Sequence, residues 1–358
     1  MSTTLERPLD IDKLFEFVFK AVDEVGATLN TALVVMGDRL GLYRALAGAG
    51  PLTPTELAER TDTAERYVRE WLNAQAAGGY VEYDADSGRY SLQPEQAAAL
   101  TDEESPAYLP GFFQIALGSV IDSPRITEAA RSGDGIGWGD HVHDVHEGCE
   151  RFFRPSYNAH LVAEWLPALD GVVEKLERGI TVADVGCGHG ASTILMAKSF
   201  PNSTYHGYDY HGDSIATASE RAASAGVADR TTFKAEPASS YSGQGYDLVT
   251  MFDCLHDMGD PAGAARHVRS TLAPDGTWMI VEPRAGDRVE ENLNPVGRAY
   301  YSFSTLLCTP ASLSQEVGLA LGAQAGEARI REIVTGAGFS SFRRVAETPF
   351  NMVFEAKP

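Results

Sequence analysis

The run Asp184-Val185-Gly186-Cys187-Gly188-His189-Gly190-Ala191-Ser192 stands between a short apolar stretch, TVADVG, and a helical pattern. Glycines at such a junction let the chain turn tightly and let a ligand reach the amides at the head of a helix. The next apolar stretch ends at Asp209, 23 residues beyond Gly186, where a carboxylate can accept both hydroxyls of a ribose. Gly186, Gly188 and Ala191 also satisfy G-x-G-x-x-G/A. The loop alone therefore leaves open a dinucleotide with hydride transfer, or a plain strand-to-helix turn. Written as D-x-G-x-G-x-G, however, it carries an acid that would repel a pyrophosphate and suits an ammonium group or its bound water. Further along, His256 lies in CLHDMGDP and Glu282 in MIVEP. His141, His143, His146 and Cys149 put three imidazoles and a thiol within nine residues. Their spacing fits no standard metal site, and Asp144 and Glu147 between them mark a solvated loop, so no metal is assigned.

Strands and helices must hold these groups. From residue 180 the runs TVADVG, TYHGYDY, RTTFKAEP, YDLVTMFD and GTWMIVEP alternate with the helical patterns ASTILMAKSF, DSIATASERAASAG and DPAGAARHVRSTLA. This βαβα repetition predicts a parallel, doubly wound sheet with helices on both faces. FSSFRRVAE and FNMVFEAKP come last, after a helix at EARIREIVTGAG. The link between them is too short for a crossover, so they must be antiparallel to each other. At the other end, apolar residues from Ile11 to Met36 recur at spacings of three and four behind Asp10 as N-cap. That is an amphipathic helix whose wide apolar face needs a partner. Thr53 and Thr63 read as N-caps, Gly78-Gly79 as a helix end, and Val81–Tyr83 with Tyr90–Leu92 as a hairpin. Three short helices and a hairpin over residues 38–95 make the pattern of a winged helix.

The D-x-G-x-G-x-G loop paired with Asp209, the LAPDGT turn before WMIVEP and the closing antiparallel strands together resemble the class I S-adenosylmethionine-dependent methyltransferases. The resemblance covers about residues 160–358 and implies a Rossmann-like α/β sheet of order 3-2-1-4-5-7-6, preceded by a mainly α winged-helix domain. With VADVGCGHG, FDCLHDMGDP and NLNPVGR all present, the whole chain resembles an actinobacterial winged-helix methyltransferase group related to small-molecule O-methyltransferases. It implies a winged-helix and dimerisation domain at 1–100, a helical linker at 101–165, and a methyltransferase domain at 166–358. The insertion 284–324 carries Tyr300, Tyr301 and Phe303, which either roof an acceptor pocket or pack on the sheet. By the same resemblance, Gly186 and Gly188 would meet the methionine tail of S-adenosylmethionine, with Asp184 near its amino end. Asp209 would hold the ribose and Tyr210 cover the adenine. Glu236 would bond the adenine amino group, although Pro237 departs from the family pattern. Phe252 and Asp253 would flank the sulfonium. His256 would act as general base on an acceptor hydroxyl with Glu282 orienting it, or else cap a helix or line the pocket. An imidazole of ordinary pKa about 6.5 suits the base role.

The 358 residues are 44 % hydrophobic and 22 % charged, an ordinary globular composition. With 29 Lys/Arg against 50 Asp/Glu the formal net charge is −21, a field that repels phosphate backbones and anionic membranes. Residues 1–100 hold 9 Lys/Arg against 16 Asp/Glu, and Arg66 and Arg69 sit beside Glu65 and Glu70 on the helix that would read DNA. The expectation is therefore a homodimer through the N-terminal helices, with no nucleic acid or membrane as partner and a small-molecule methyl acceptor. No apolar run of about 18 residues and no leader pattern occur, and the four cysteines form no C-x-x-C, so a cytoplasmic protein is expected. Two rivals stand beside this reading. One is a winged-helix regulator sensing S-adenosylmethionine, which a basic recognition helix would have favoured; the other is an NAD-dependent oxidoreductase.

Overall fold

In the computed structural model, which describes residues 9–358, Asp10 accepts the Lys13 amide at 3.3 Å and starts a helix, Ile11–Arg39. Only its last turns are buried, at Val34, Val35, Gly37 and Asp38. They lie against a core of Leu42, Tyr43, Leu46, Leu57, Val68, Trp71 and Leu72. A Cβ on Gly37 would come within 2.5 Å of Trp71, so glycine permits this approach, and the Trp71 indole donates to the Leu33 carbonyl at 2.9 Å. Helices Leu42–Leu46, Pro54–Thr61 and Glu65–Ala77 follow, then a hairpin of β1 (Glu82–Asp84) and β2 (Arg89–Ser91). Thr53 and Glu56 close the expected capping box. The expected cap at Thr63 is off by one residue. Ala64 is the N-cap, because the Thr63 hydroxyl pairs with that of Thr61 at 2.8 Å. Along the exposed part of the first helix, Ile11, Phe15, Val18, Val22, Val25 and Leu29 form an apolar seam of alternating four- and three-residue steps.

The chain divides into two compact units after Leu117. That boundary splits the expected linker at 101–165. Its larger part folds as helices Ser123–Ser132 and His143–His160 and a π turn Leu161–Trp165, within the second unit. Tyr157, Leu161 and Trp165 share a core with Val182, Met196, Leu248, Phe252 and Val353 of the sheet region. Prolines within this stretch do not prevent it. Pro124 opens a helix in its first turn, where its missing N–H costs nothing.

The sheet comprises β3 (Thr181–Val185), β4 (Thr204–Asp209), β5 (Thr231–Ala235), β6 (Tyr246–Phe252), β7 (Leu272–Pro283), β8 (Ser341–Glu347) and β9 (Asn351–Lys357). They lie in the order β5-β4-β3-β6-β7-β9-β8, the expected 3-2-1-4-5-7-6 when counted within the sheet. β3 to β7 pair in parallel, whereas β9 runs antiparallel to both β7 and β8. The central strands are apolar on both faces, as a doubly covered parallel sheet requires. Residues 284–324 form helices Pro295–Phe303 and Thr309–Leu313 around a π turn, Ser304–Cys308. Among the described residues no helix is long and apolar enough to cross a membrane.

Candidate active site

The glycine loop joins β3 to the helix Ala191–Ser199. Gly186, Gly188 and Gly190 all have positive φ, at +76°, +50° and +78°. A Cβ on Gly186 would meet the Cys254 sulfur at 2.6 Å, whereas one on Gly188 would meet nothing within 4 Å. The first glycine is thus required by packing, and the second leaves the loop open on its outer side. Asp209, at the end of β4, accepts the amides of Gly188 and His211, each at 2.9 Å. Burial raises its pKa, and those two amides oppose the rise. Tyr210 follows it with its side chain half exposed.

Asp184, expected near the amino end of the cofactor, is bonded on both carboxylate oxygens within the protein. Its Oδ2 accepts the hydroxyls of Ser192 at 2.6 Å and Thr193 at 2.5 Å, and its Oδ1 that of Thr250 at 2.9 Å. Three donors within a buried setting make it the anchor that ties the loop to the following helix and to β6. Glu236 accepts the Ser242 amide at 2.5 Å and hydroxyl at 3.1 Å, so its carboxylate is engaged with the loop after β5. Phe252 is buried at the end of β6 with its ring 5.2 Å from that of Tyr157.

Parallel pairing of β6 with β7, in the register Phe252↔Val281, brings the next feature together. His256, on the turn Leu255–Asp257 directly after β6, places Nδ1 at 2.6 Å from Oε2 of Glu282, while Oε1 of Glu282 accepts the Leu255 amide at 2.9 Å. Both side chains are almost fully buried. Burial alone would lower the imidazole pKa, but the Glu282 carboxylate, reinforced by Cys308, holds it well above its ordinary value. Since Glu282 occupies Nδ1, the second nitrogen is the one left for proton exchange. Asp257 is pushed up to about 7 by burial, with His256 opposing and Glu282 and Asp209 reinforcing.

The inserted segment closes over this turn. Gly322 donates its amide to the His256 carbonyl at 3.1 Å, Ser312 its hydroxyl to the Met258 carbonyl at 2.8 Å, and Gln315 its amide to the Asp257 carbonyl at 3.1 Å. Tyr300 is buried and donates to the Phe350 carbonyl at 3.1 Å. Asp253, expected beside the sulfonium, sits with φ +51° and accepts Nδ2 of Asn351 at 2.7 Å; burial and the Glu282 charge raise its pKa. Cys308 and Asn351 carry no pattern that would have flagged them, being 52 and 98 residues from the groups they touch. The histidines of HVHDVHEGC go three ways: His141 bonds Asp122 at 2.7 Å, His143 is exposed, and His146 stacks on His211.

Residues 28–102 match the Rv2258c-like winged HTH domain and residues 183–278 a methyltransferase domain. The 2-methyl-6-phytyl-1,4-hydroquinone methyltransferase of Synechocystis sp. is 26 % identical over 166 residues, which are 44 % of this chain and 49 % of that protein. The chain spans about half the length, or less, of the curated relatives it matches. Among solved structures, mitomycin 7-O-methyltransferase MmcR superposes with a TM-score of 0.68 at 18 % identity, covering 98 % of this chain and 100 % of its own. Human N-acetylserotonin methyltransferase, solved in complex with S-adenosylmethionine, does so at 0.67 and 15 % identity, covering 100 % and 99 %. At such identities the likeness is one of fold. The chain therefore joins an Rv2258c-like winged helix-turn-helix domain to a methyltransferase domain of class I fold.

Proposed function

We propose that the protein is an S-adenosylmethionine-dependent methyltransferase acting on a hydroxyl of a small molecule, with His256 as general base. The observation that carries this reading is the buried His256–Glu282 pair, at 2.6 Å, beside the glycine loop at the carboxyl ends of adjacent strands. When bound, S-adenosylmethionine supplies its methyl group as an electrophile and retains the bonding pair on sulfur. The residues present fit that group. Gly188 leaves an open flank in which a side chain would stand, and the Asp209 carboxylate lies under the same loop. Phe252 lines the strand end, and Tyr210 offers an exposed ring beside Asp209. Asp184 acts in this scheme by fixing the loop, and Glu236 by fixing the turn after β5. His256 takes the acceptor's hydroxyl proton at the ring nitrogen that Glu282 leaves free, and Glu282 stabilises the resulting cation.

The N-terminal unit serves assembly in this reading. Its cations on helix Glu65–Ala77 are paired within the helix, Arg66 to Glu70 and Arg69 to Glu65, which leaves little to grip a phosphate backbone. The exposed seam from Ile11 to Leu29 has the spacing of a helix pair, and a second copy of the chain is its proposed partner. The proposed setting is the cytoplasm, where the thiols of Cys149, Cys187, Cys254 and Cys308 stay free.

Parallel calorimetric titrations with S-adenosylmethionine, S-adenosylhomocysteine and NADH test the reading. Micromolar affinity for the first two and none for NADH is expected, followed by methylation of phenols detected by mass. NADH binding alone would overturn it.

A further inference from the structure

His256 is carried by the short turn Leu255–Asp257, between β6 and the helix Pro261–Thr271, so neither a strand nor a long helix fixes its backbone. Its ring stays on Glu282 only while that turn is held still. From the β7 side one bond does so, the Leu255 amide donating to Oε1 of Glu282 at 2.9 Å. From the other side the inserted segment bonds four consecutive carbonyls. That of His256 accepts the Gly322 amide at 3.1 Å, that of Asp257 accepts Nε2 of Gln315 at 3.1 Å, that of Met258 the Ser312 hydroxyl at 2.8 Å, and that of Gly259 the Leu319 amide at 2.9 Å. Gln315 is bonded to the turn twice, because its Oε1 also accepts the Gly259 amide at 3.0 Å. One side-chain amide thus bridges Asp257 and Gly259, donating to the first and accepting from the second.

Two further observations show that this contact is built into the fold. A Cβ on Gly259 would come within 2.4 Å of the Gln315 Cβ, so the glycine of CLHDMGDP is what lets the glutamine reach the turn. The chain just beyond Gln315 is strained. Val317 has φ +77° and Ala320 φ +50°, a region that a β-branched residue rarely enters. Val317 is exposed, so packing of its side chain does not offset the cost. Backbone of this kind persists where the surrounding contacts over-determine it. Here those contacts are the bonds of Leu319 and Gly322 to the His256 turn, and the Ala320 amide donating to the Ser312 hydroxyl at 2.9 Å.

We infer that Gln315 is a positioning residue for the methyl transfer: its side-chain amide fixes the Asp257–Gly259 backbone from the inserted segment and so holds the His256 imidazole on Glu282. The inference rests on the base role proposed above and deepens it. Gln315 acts through His256 and touches neither cofactor nor acceptor. A catalytic group displaced by about 1 Å can lose roughly 10²-fold in rate, so a hold on the turn is a hold on the reaction.

The test is Gln315→Met in the full chain, which keeps the length of the side chain and removes both bonds to the turn. Three quantities are measured: initial-rate methylation of phenol, calorimetric affinity for S-adenosylhomocysteine, and the downfield proton resonance of the His256 Nδ1–H shared with Glu282, assigned by its loss in His256→Ala. The expected result is a kcat lower by about 10- to 100-fold, with the KM for phenol and the S-adenosylhomocysteine affinity within a few-fold of wild type. The resonance should move upfield as the bond to Glu282 lengthens. A merely structural glutamine would lower the melting temperature and leave the resonance in place. Should the variant fail to fold, Gln315→Ala makes room for water on the freed groups and is read in the same way. A wild type without the resonance, or a folded variant in which it has not moved, would overturn the inference whatever the rate does. A displaced resonance with unchanged kcat would instead refute His256 as the base and leave Gln315 as the residue that holds it.

Discussion

Substituting Glu282 by Gln separates a proton-accepting His256 from a merely buried one. The Leu255 amide must still be received, so the glutamine carbonyl takes the place of Oε1 and its NH₂ group faces Nδ1 of His256. Nδ1 then has to accept, the proton moves to the other ring nitrogen, and the lone pair needed for the acceptor hydroxyl is lost. The charge-assisted bond itself is worth about 1.5–3 kcal/mol, roughly 10- to 150-fold in rate, and general-base catalysis as a whole about 10²–10⁴-fold. A fall in the plateau kcat of about 10²-fold or more is expected. The pH dependence moves in the opposite sense. In the wild type the Glu282 charge holds the imidazole pKa well above 6.5, so kcat/KM climbs with pH through that raised value as the base loses its proton. Without the carboxylate, burial dominates and the rising limb shifts to lower pH. Each pH unit below the wild-type limb should therefore return roughly tenfold of the difference between the two enzymes. The assay is initial-rate methylation of a phenol from pH 5.5 to 9.5, with S-adenosylhomocysteine affinity measured alongside. A plateau within a few-fold of wild type and an unmoved limb would refute the base role.

Two further perturbations address the other parts of the site and the assembly. Gly188→Asn accepts φ +50° but fills the open flank of the loop, so S-adenosylhomocysteine affinity should fall by more than about tenfold with little change in melting temperature; unchanged affinity would place the cofactor elsewhere. Val22→Asp sets a charge in the middle of the exposed seam of the first helix, and light scattering should then report half the wild-type mass, whereas an unaltered mass would remove that seam from the interface.

How much of this was legible beforehand follows from the range of the interactions. The parallel sheet rests on local periodicity, the antiparallel ending on one short connection and the strand order on the family resemblance, and all three stand in the structure. His256 and Glu282 were marked by the family resemblance, and the parallel pairing of β6 with β7 accounts for why the turn after one strand and the end of the next come together. The anchoring of Asp184 was half visible: Ser192 and Thr193 stand in the same motif, but Thr250 comes from β6, 66 residues away. Nothing local announces the pairing of Asp253 with Asn351, or the approach of Cys308, which depends on a π turn that shifts the helical register. The boundary at Leu117 falls inside the helix Pro110–Ile121, so no break in local periodicity marks it.

The same buried charges make the stability of the unliganded protein a readout of the site. Asp257 carries a pKa raised from 3.8 to about 7, so the folded state binds a proton there that the unfolded chain releases near pH 4. Its contribution to stability is therefore fully present below about pH 4 and is lost as pH rises to 7. His256, raised above 6.5, adds a loss of the same sign at higher pH, through its own folded value. Burial lowers the pKa values of His146, His189 and His206, which pushes stability the other way up to pH 6.5. The surface carboxylate of Glu56, lowered to about 2, adds nothing that changes above pH 5. The wild-type curve alone therefore mixes both signs, and the difference from Asp257→Asn isolates one. Thermal melting from pH 4.5 to 8 should show the variant gaining on the wild type steadily up to pH 7, then running parallel to it. A difference that does not change with pH would mean that Asp257 keeps an ordinary acidity, and that the negative charge crowding the His256–Glu282 pair is relieved by some other group.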